Sequence, residues 1–343
     1  LIGTATDDGV NKLQVNGGVA IVGTLLSAKS GAGTDAISIG NLAGTTTQGA
    51  YSVAVGHEAG WNVQGSQSIA LGKAAGKTTQ GNYAVAVGSQ SGTYIQGQYA
   101  LAMGFYAGSS LQGADSVALG NYAGNSSQGA SSVAIGPQAG RNTQGNGAMA
   151  FGFASGMTSQ GDYAVAVGIQ TGSISQSVGA TAIGFQAGYS SQGGDSVAIG
   201  RNTGQTSQGD TAIAVGYQAG MTTQALGSIA IGKFAGKSQQ GLKALGVGYY
   251  AGNTTQGAQA AALGFYAGRL QQGAYATAVG TNSAEFSQAN YSIAVGAEAG
   301  RYTQSAYAVA MGYQAGTGSA TAGDVQGAYA VAIGYQAGKT LQG

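Results

Sequence analysis

The chain has no cysteine, which removes disulfide staples and thiolate chemistry without identifying a redox compartment. Charge is nearly as scarce: 7% of the 343 residues are charged, the formal net charge is +1, and no basic or acidic run occurs. Counterion release from phosphate needs clustered Lys and Arg, so nucleic acid is not an expected partner. A polybasic membrane patch is missing for the same reason. Apolar runs such as residues 164–167 fall far short of the roughly 20 residues of a membrane-crossing helix, so membrane insertion is not expected either. The first residue is Leu1 and no signal-peptide pattern follows it, which reads as a processed or truncated piece of something longer.

What the chain does have is a sixteen-residue unit written nineteen times, in constant register from Ile37 to Val309 and once more at Val331 after a six-residue insertion. Self-similarity at a short fixed period means stacked units, each burying its apolar side against its neighbours, so the expected fold is an all-β parallel β-roll or β-solenoid of sixteen-residue coils. With Val53 as position one, positions one and three carry Val, Ile, Leu or Met in most copies, and position two is Ala except at Ser38 and Gly246. This period of two reads as a strand. Position four is always Gly, and position eight is Gly except at Ala284. These glycines are the expected corners, because Gly adopts positive φ without steric cost. A second strand rich in Thr and Ser follows, as at Thr78-Thr79 and Thr254-Thr255. The first strand is expected to point its branched side chains into the coil and present Ala at a close intermolecular contact, with the reverse facing as the alternative.

Position twelve is Gln in every copy: Gln48, Gln64, Gln80, Gln96, Gln112, Gln128, Gln144, Gln160, Gln176, Gln192, Gln208, Gln224, Gln240, Gln256, Gln272, Gln288, Gln304, Gln326 and Gln342. Stacked coils set equivalent residues about 4.8 Å apart, where carboxamides bond up and down as a structural ladder or reach a turn backbone. An exposed binding stripe is the competing reading. Nineteen coils make a rod of roughly 90 Å, with room inside for little more than one layer of side chains. So thin a rod offers little apolar area against chain entropy, and association into a homotrimer is the expected remedy. End-to-end stacking into filaments is the alternative, since uncapped sheet edges invite pairing.

The motif Ser-Val-Ala-Ile-Gly, at residues 132–136 and 196–200, resembles the head repeats of trimeric autotransporter adhesins of the YadA type. The resemblance runs over nearly all of residues 35–343. It implies a left-handed parallel β-roll, three rolls packed as a homotrimer, and adhesion to surfaces. The period here is longer than that family's and carries a Gln-Gly corner. The opening phrase, Leu1-Ile2-Gly3-Thr4-Ala5-Thr6-Asp7-Asp8-Gly9-Val10-Asn11-Lys12-Leu13-Gln14-Val15-Asn16-Gly17, looks like one common in bacteriophage tail-fibre shafts. The organisation expected is a tail-fibre-like lead-in over 1–34 and a β-roll over 35–343, with an insertion loop near 317–325. The function expected is a non-enzymatic structural fibre shaft of a bacteriophage tail fibre, on the virion, that positions or contributes to binding of a host-surface glycan or protein receptor. A bacterial adhesin or self-assembling extracellular filament is the alternative.

Catalysis fails on supply. His57, the one histidine, stands at a variable position beside Glu58, without the converging nucleophile and orienting carboxylate of a triad. Asp115, Asp162, Asp195, Asp210, Glu285 and Glu298 are scattered over different coils, and only pairing across coils, as of Asp195 with Asp210, would supply the two facing carboxylates that a glycosidase needs. No calcium-binding nonapeptide occurs, and Gly-Lys-Thr at residues 338–340 lacks the earlier Gly of a phosphate loop. No metal or cofactor is expected. For recognition, Tyr83, Tyr99, Tyr106, Tyr122, Tyr250 and Tyr266 are candidate glycan contacts, because a Tyr ring offers an apolar face and a polar tip. The competing reading is that neighbouring rings pack as ladders along coil edges or a trimer seam. The Thr and Ser of positions ten and eleven raise ice binding as a further alternative, but Tyr94-Ile95, Leu270-Gln271 and Phe286-Ser287 spoil a uniform array.

Overall fold

The computed structural model describes residues 33–319 and 325–339. The lead-in up to residue 32, residues 320–324 of the insertion and Gln342 lie outside the described residues. Each coil contributes two short strands. The first, such as Val53–Val55 and Ile69–Leu71, pairs in parallel with its equivalent sixteen residues on, Val53 opposite Ile69 and Ala54 opposite Ala70. Nineteen such strands form one sheet. The second strand, such as Thr79–Gln80, builds a parallel sheet of seventeen strands, and a bridge from Gln304 to Gln326 carries its register past the insertion. The chain is thus an all-β parallel β-solenoid.

The glycine corners have two separate causes. At position four, Gly104 has φ 131°, and a Cβ on it would lie 2.6 Å from the carbonyl oxygen of Gly120 in the next coil, so both conformation and close approach demand Gly. At position eight, Gly108 has φ 52°, and its Cβ would meet the Gln112 Oε1 at 2.6 Å. Two further corners are left-handed, mostly without Gly. Position six (Glu58, Tyr106, Gln218) and position fifteen (Tyr83, Asp115, Tyr275) all have φ between 54° and 61°. The left-handed region costs an L-residue roughly 1–2 kcal/mol, and here the ladder bonds of the adjoining coils hold it: Glu58 N–H donates to Asn41 O at 2.9 Å and Tyr83 N–H to Ser66 O at 3.0 Å.

The core corrects the expected orientation of the first strand. Alanines, not branched residues, face inward: Ala54, Ala70, Ala86, Ala102 and their equivalents are wholly buried, as are the position-seven alanines such as Ala59 and Ala107. Val, Ile, Leu and Met at positions one and three are half-buried or exposed on the outer face. The reason is the thinness of the coil. A Cβ on Gly108 would come within 3.2 Å of the Ala102 methyl, so the far corner already sits against position two and leaves no volume for a branched chain. The interior holds Ala or Ser at position sixteen, Ala at position two in nearly every coil, Ala or, as at Ser91, Thr171 and Ser283, a small hydroxyl residue at position seven, and one Gln.

Candidate functional surfaces

Each described ladder Gln is buried, between 1% and 4% exposed, and its carboxamide crosses the interior. The Nε2 of Gln112 donates to Leu101 O at 2.8 Å and that of Gln256 to Leu245 O at 2.6 Å, so the side chain of the second sheet bonds the backbone of the first. Many also donate to the Gln of the following coil, as Gln80 to Gln96 Oε1 at 3.1 Å and Gln240 to Gln256 Oε1 at 3.1 Å. A buried amide left without such partners would cost about 1–3 kcal/mol. This position serves the interior of the rod and is closed to any ligand.

The outer face of the first sheet carries two parallel columns of mostly aliphatic side chains, interrupted at Phe151, Thr181 and Thr277. Position one contributes Val85, Leu101, Val117 and Val133, and position three Val87, Met103, Leu119 and Ile135. Met103 is 40% exposed and Leu263 45%. Neither column contains a charged residue anywhere from Ile37 to Ile333.

The tyrosines at the coil edges pack on one another. Tyr83 and Tyr99 stack with centroids 5.0 Å apart and planes 13° off parallel, and Tyr106 and Tyr122 at 5.1 Å and 3°. Tyr250 and Tyr266 are tilted by 30° at 5.3 Å. The longest row is Tyr275, Tyr291, Tyr307 and Tyr329, with steps of 4.9, 5.1 and 5.1 Å. Each of these rings therefore spends at least one face on its neighbour, and the rings that end a row keep one face clear of it.

Charges pair across coils. Lys77 Nζ lies 2.8 Å from Glu58 Oε2, and that hydrogen bond holds the Glu58 carboxyl below the usual carboxylate range despite the opposing effect of burial. Near the C-terminal end Glu285, only 4% exposed, is held between Arg269 Nη1 at 2.8 Å and Arg301 Nε at 2.9 Å, from the coils on either side. Burial, the largest single influence, opposes the charge of Arg301, but the hydrogen bond to Glu285 together with the attraction of Glu285, Tyr302 and Glu298 outweighs it and raises the pKa. Sequence reading placed Glu285 among scattered acids. The signal that could have found this network was Arg, Glu and Arg at one coil position in three successive copies.

His57 is exposed, and Asp115 is separated by whole coils from Glu285 and Glu298. Asp210 Oδ1 accepts from the backbone N–H of Gly194 at 2.8 Å. Together these features define a thin repetitive rod with a side-chain ladder inside and an apolar stripe outside, the construction of a structural repeat. Residues 96–123 match the family model of the YadA head domain repeat, in two copies. The matched segment holds the strands Leu101–Met103 and Val117–Leu119, and the same register runs through the other described coils, so the rod is a YadA-like head-repeat β-roll. No curated protein matches the chain.

Proposed function

We propose that the chain is the shaft of a non-enzymatic adhesive fibre, assembled as a homotrimer through the aliphatic columns of the first sheet. The observation that carries the reading is the stripe of positions one and three, uncharged throughout and aliphatic but for Phe151, Thr181 and Thr277. At about 4.8 Å per coil and about 3.3 Å per residue, it covers on the order of 900 Å². Soluble monomers rarely expose apolar patches beyond a few hundred Å². A stripe with a constant short period is matched along its whole length only by a surface of the same period, and further copies of this chain supply one. The finer placement, in a bacteriophage tail fibre on the virion, draws on the phrase at residues 1–17. The match to the YadA head repeat favours a bacterial cell-surface adhesin as the second reading.

Light scattering tests the assembly. The wild-type chain is expected at three times its 33.3 kDa mass, and Val165→Lys with Val197→Lys at one chain, because a Lys at the buried centre of an interface is desolvated without a partner. A single-chain mass for the wild type overturns the proposal. Adherence of the trimer to phage-sensitive cells but not to resistant ones from the same host would place it on a virion; adherence to animal-cell matrix would place it on a bacterial surface.

A further inference from the structure

In so strict a repeat, departures carry information, and three fall together near the C-terminal end. Position eight, Gly elsewhere, is Ala284, at φ 44°. Position nine of that coil is the buried Glu285 that ties Arg269 to Arg301. Position ten, mostly Thr, Ser or Asn, becomes aromatic in two consecutive coils, Phe286 and Tyr302. The two rings stack at 5.3 Å and 7°. With Thr303 and with Ser319, where the chain departs into the insertion, they line a cleft of about 260 Å³. Residues that break local rules without serving the fold are the ones to read as functional.

We infer that this cleft is a binding site for a neutral pyranose ring of a surface glycan. The chemistry is that of a sugar site: aromatic rings for the apolar C–H face of a pyranose, and hydroxyl groups for its hydroxyls. The volume is below the 300–1,000 Å³ or so of pockets that enclose a whole drug-sized ligand, which suits one ring of a longer chain. Charge decides against an acidic sugar. Arg269 and Arg301 are both bonded to Glu285, and Arg301 Nη1 also lies 3.7 Å from Glu298, so two cations face two carboxylates and neither cation is left for a ligand anion. The network instead orders the platform, since Arg301 lies 5.4 Å from the centroid of the Tyr302 ring. The Gln side chains crossing from the second sheet to the first put position ten on the side of the rod away from the aliphatic stripe. The site depends on the fibre reading only in that a trimer built on the stripe leaves it open.

The test is titration of the full chain, by calorimetry and saturation-transfer NMR, with trisaccharides of glucose, galactose and mannose, and with sialyllactose as the acidic probe. The variants Phe286→Thr and Tyr302→Thr restore the residue common at this position, so the coil has every reason to form. At least one neutral trisaccharide is expected to bind, each variant to weaken it at least tenfold, and Tyr83→Thr to leave it unchanged. The site is refuted if no neutral trisaccharide binds at millimolar concentration, if binding survives both variants, or if sialyllactose binds more tightly. Solution mass, recorded on the same samples, separates a failure of the trimer from a failure of the site.

Discussion

The coils before Gln144 and those after Gln208 share one backbone plan but not one interior. From Gln208 to Gln326 every carboxamide donates to the next, seven bonds in succession at 3.1–3.2 Å. Between Gln48 and Gln144 only Gln80 reaches its successor, and Gln64, Gln80, Gln112, Gln128 and Gln144 each keep an Oε1 without a partner. The difference follows position sixteen. Where it is Ser and position thirteen is Gly, as at Ser52, Ser68, Ser116, Ser132 and Ser196, the hydroxyl donates to the Gly carbonyl at 2.6–2.7 Å and the Gln of that coil makes no forward bond. In three of these coils Gln Nε2 stands 3.5 Å from the position-sixteen carbonyl, against 3.1–3.4 Å in the linked coils. Ser228 and Ser292 bond Ala225 and Ala289 instead, and there the ladder continues. The step from Gln96 to Gln112 is unlinked although Ala100 follows it, and nothing in that coil explains it. A ladder invariant in sequence is thus interrupted wherever a position-sixteen Ser bonds a position-thirteen Gly, with the unlinked Gln96 the one break that this pairing does not account for.

The largest expected effect comes from breaking the continuous ladder. Gln256→Leu removes bonds to Leu245 O, Ala260 O and Gln272 and leaves the Gln240 donor short of a partner, a loss of roughly 3 kcal/mol or more in local stability. Gln128→Leu removes only the bonds to Val117 O and Ser132 O, and roughly 1–2 kcal/mol is expected. Hydrogen exchange of the flanking strand amides measures both, and equal losses would erase the distinction between the regions. The buried ion network ranks next. Glu285→Gln leaves Arg269 and Arg301 without their shared carboxylate, and about 2 kcal/mol is expected, below the usual cost of a broken buried pair because both arginines are partly exposed. Exchange in the coils on either side reads it.

The position-sixteen rule gives a reciprocal pair. Ala260→Ser, with Gly257 at position thirteen, should sever Gln256 from Gln272 at a cost of about 1 kcal/mol. Ser132→Ala should join Gln128 to Gln144, moving the carboxamide proton resonances of both toward those of the linked coils. Unmoved resonances in both variants would mean that the hydroxyl is not the switch. The smallest effect concerns the half-buried pair of Lys77 and Glu58 in the N-terminal coils. Lys77→Met removes the hydrogen bond that depresses Glu58, and an NMR titration should show the carboxyl returning to its ordinary range. Because the folded pKa is the lower one, whatever stability the pair contributes is present above the unfolded pKa and fades as pH falls through the folded one.

The sixteen-residue period made the parallel coil and its glycine corners legible, because a period is independent of which face turns inward. The facing of the first strand was not legible. Alternation at Val53, Ala54 and Val55 fixes two faces but not their sides, and hydrophobicity favours the wrong one when the far corner of the coil leaves room only for Ala at position two. Position fifteen hid for another reason: Tyr83 and Tyr275 are not residues that announce a left-handed φ, although Asp115, Asp195 and Gly147 at the same position hint at it. The cleft beside Tyr302 drew notice only through the insertion, since its platform consists of two ordinary aromatics standing where Thr is the rule.

The absence of cysteine makes the central claim, that copies of the rod meet through the aliphatic stripe, directly measurable. Val133→Cys places one thiol on the stripe, and Thr143→Cys places one on the outer face of the second sheet in the same coil. On mild oxidation the stripe thiol is predicted to yield covalent dimers of the 33.3 kDa chain at high yield and independent of dilution, and the Thr143 thiol to remain free. Dimers from the Thr143 thiol, with none from Val133, would contradict the account.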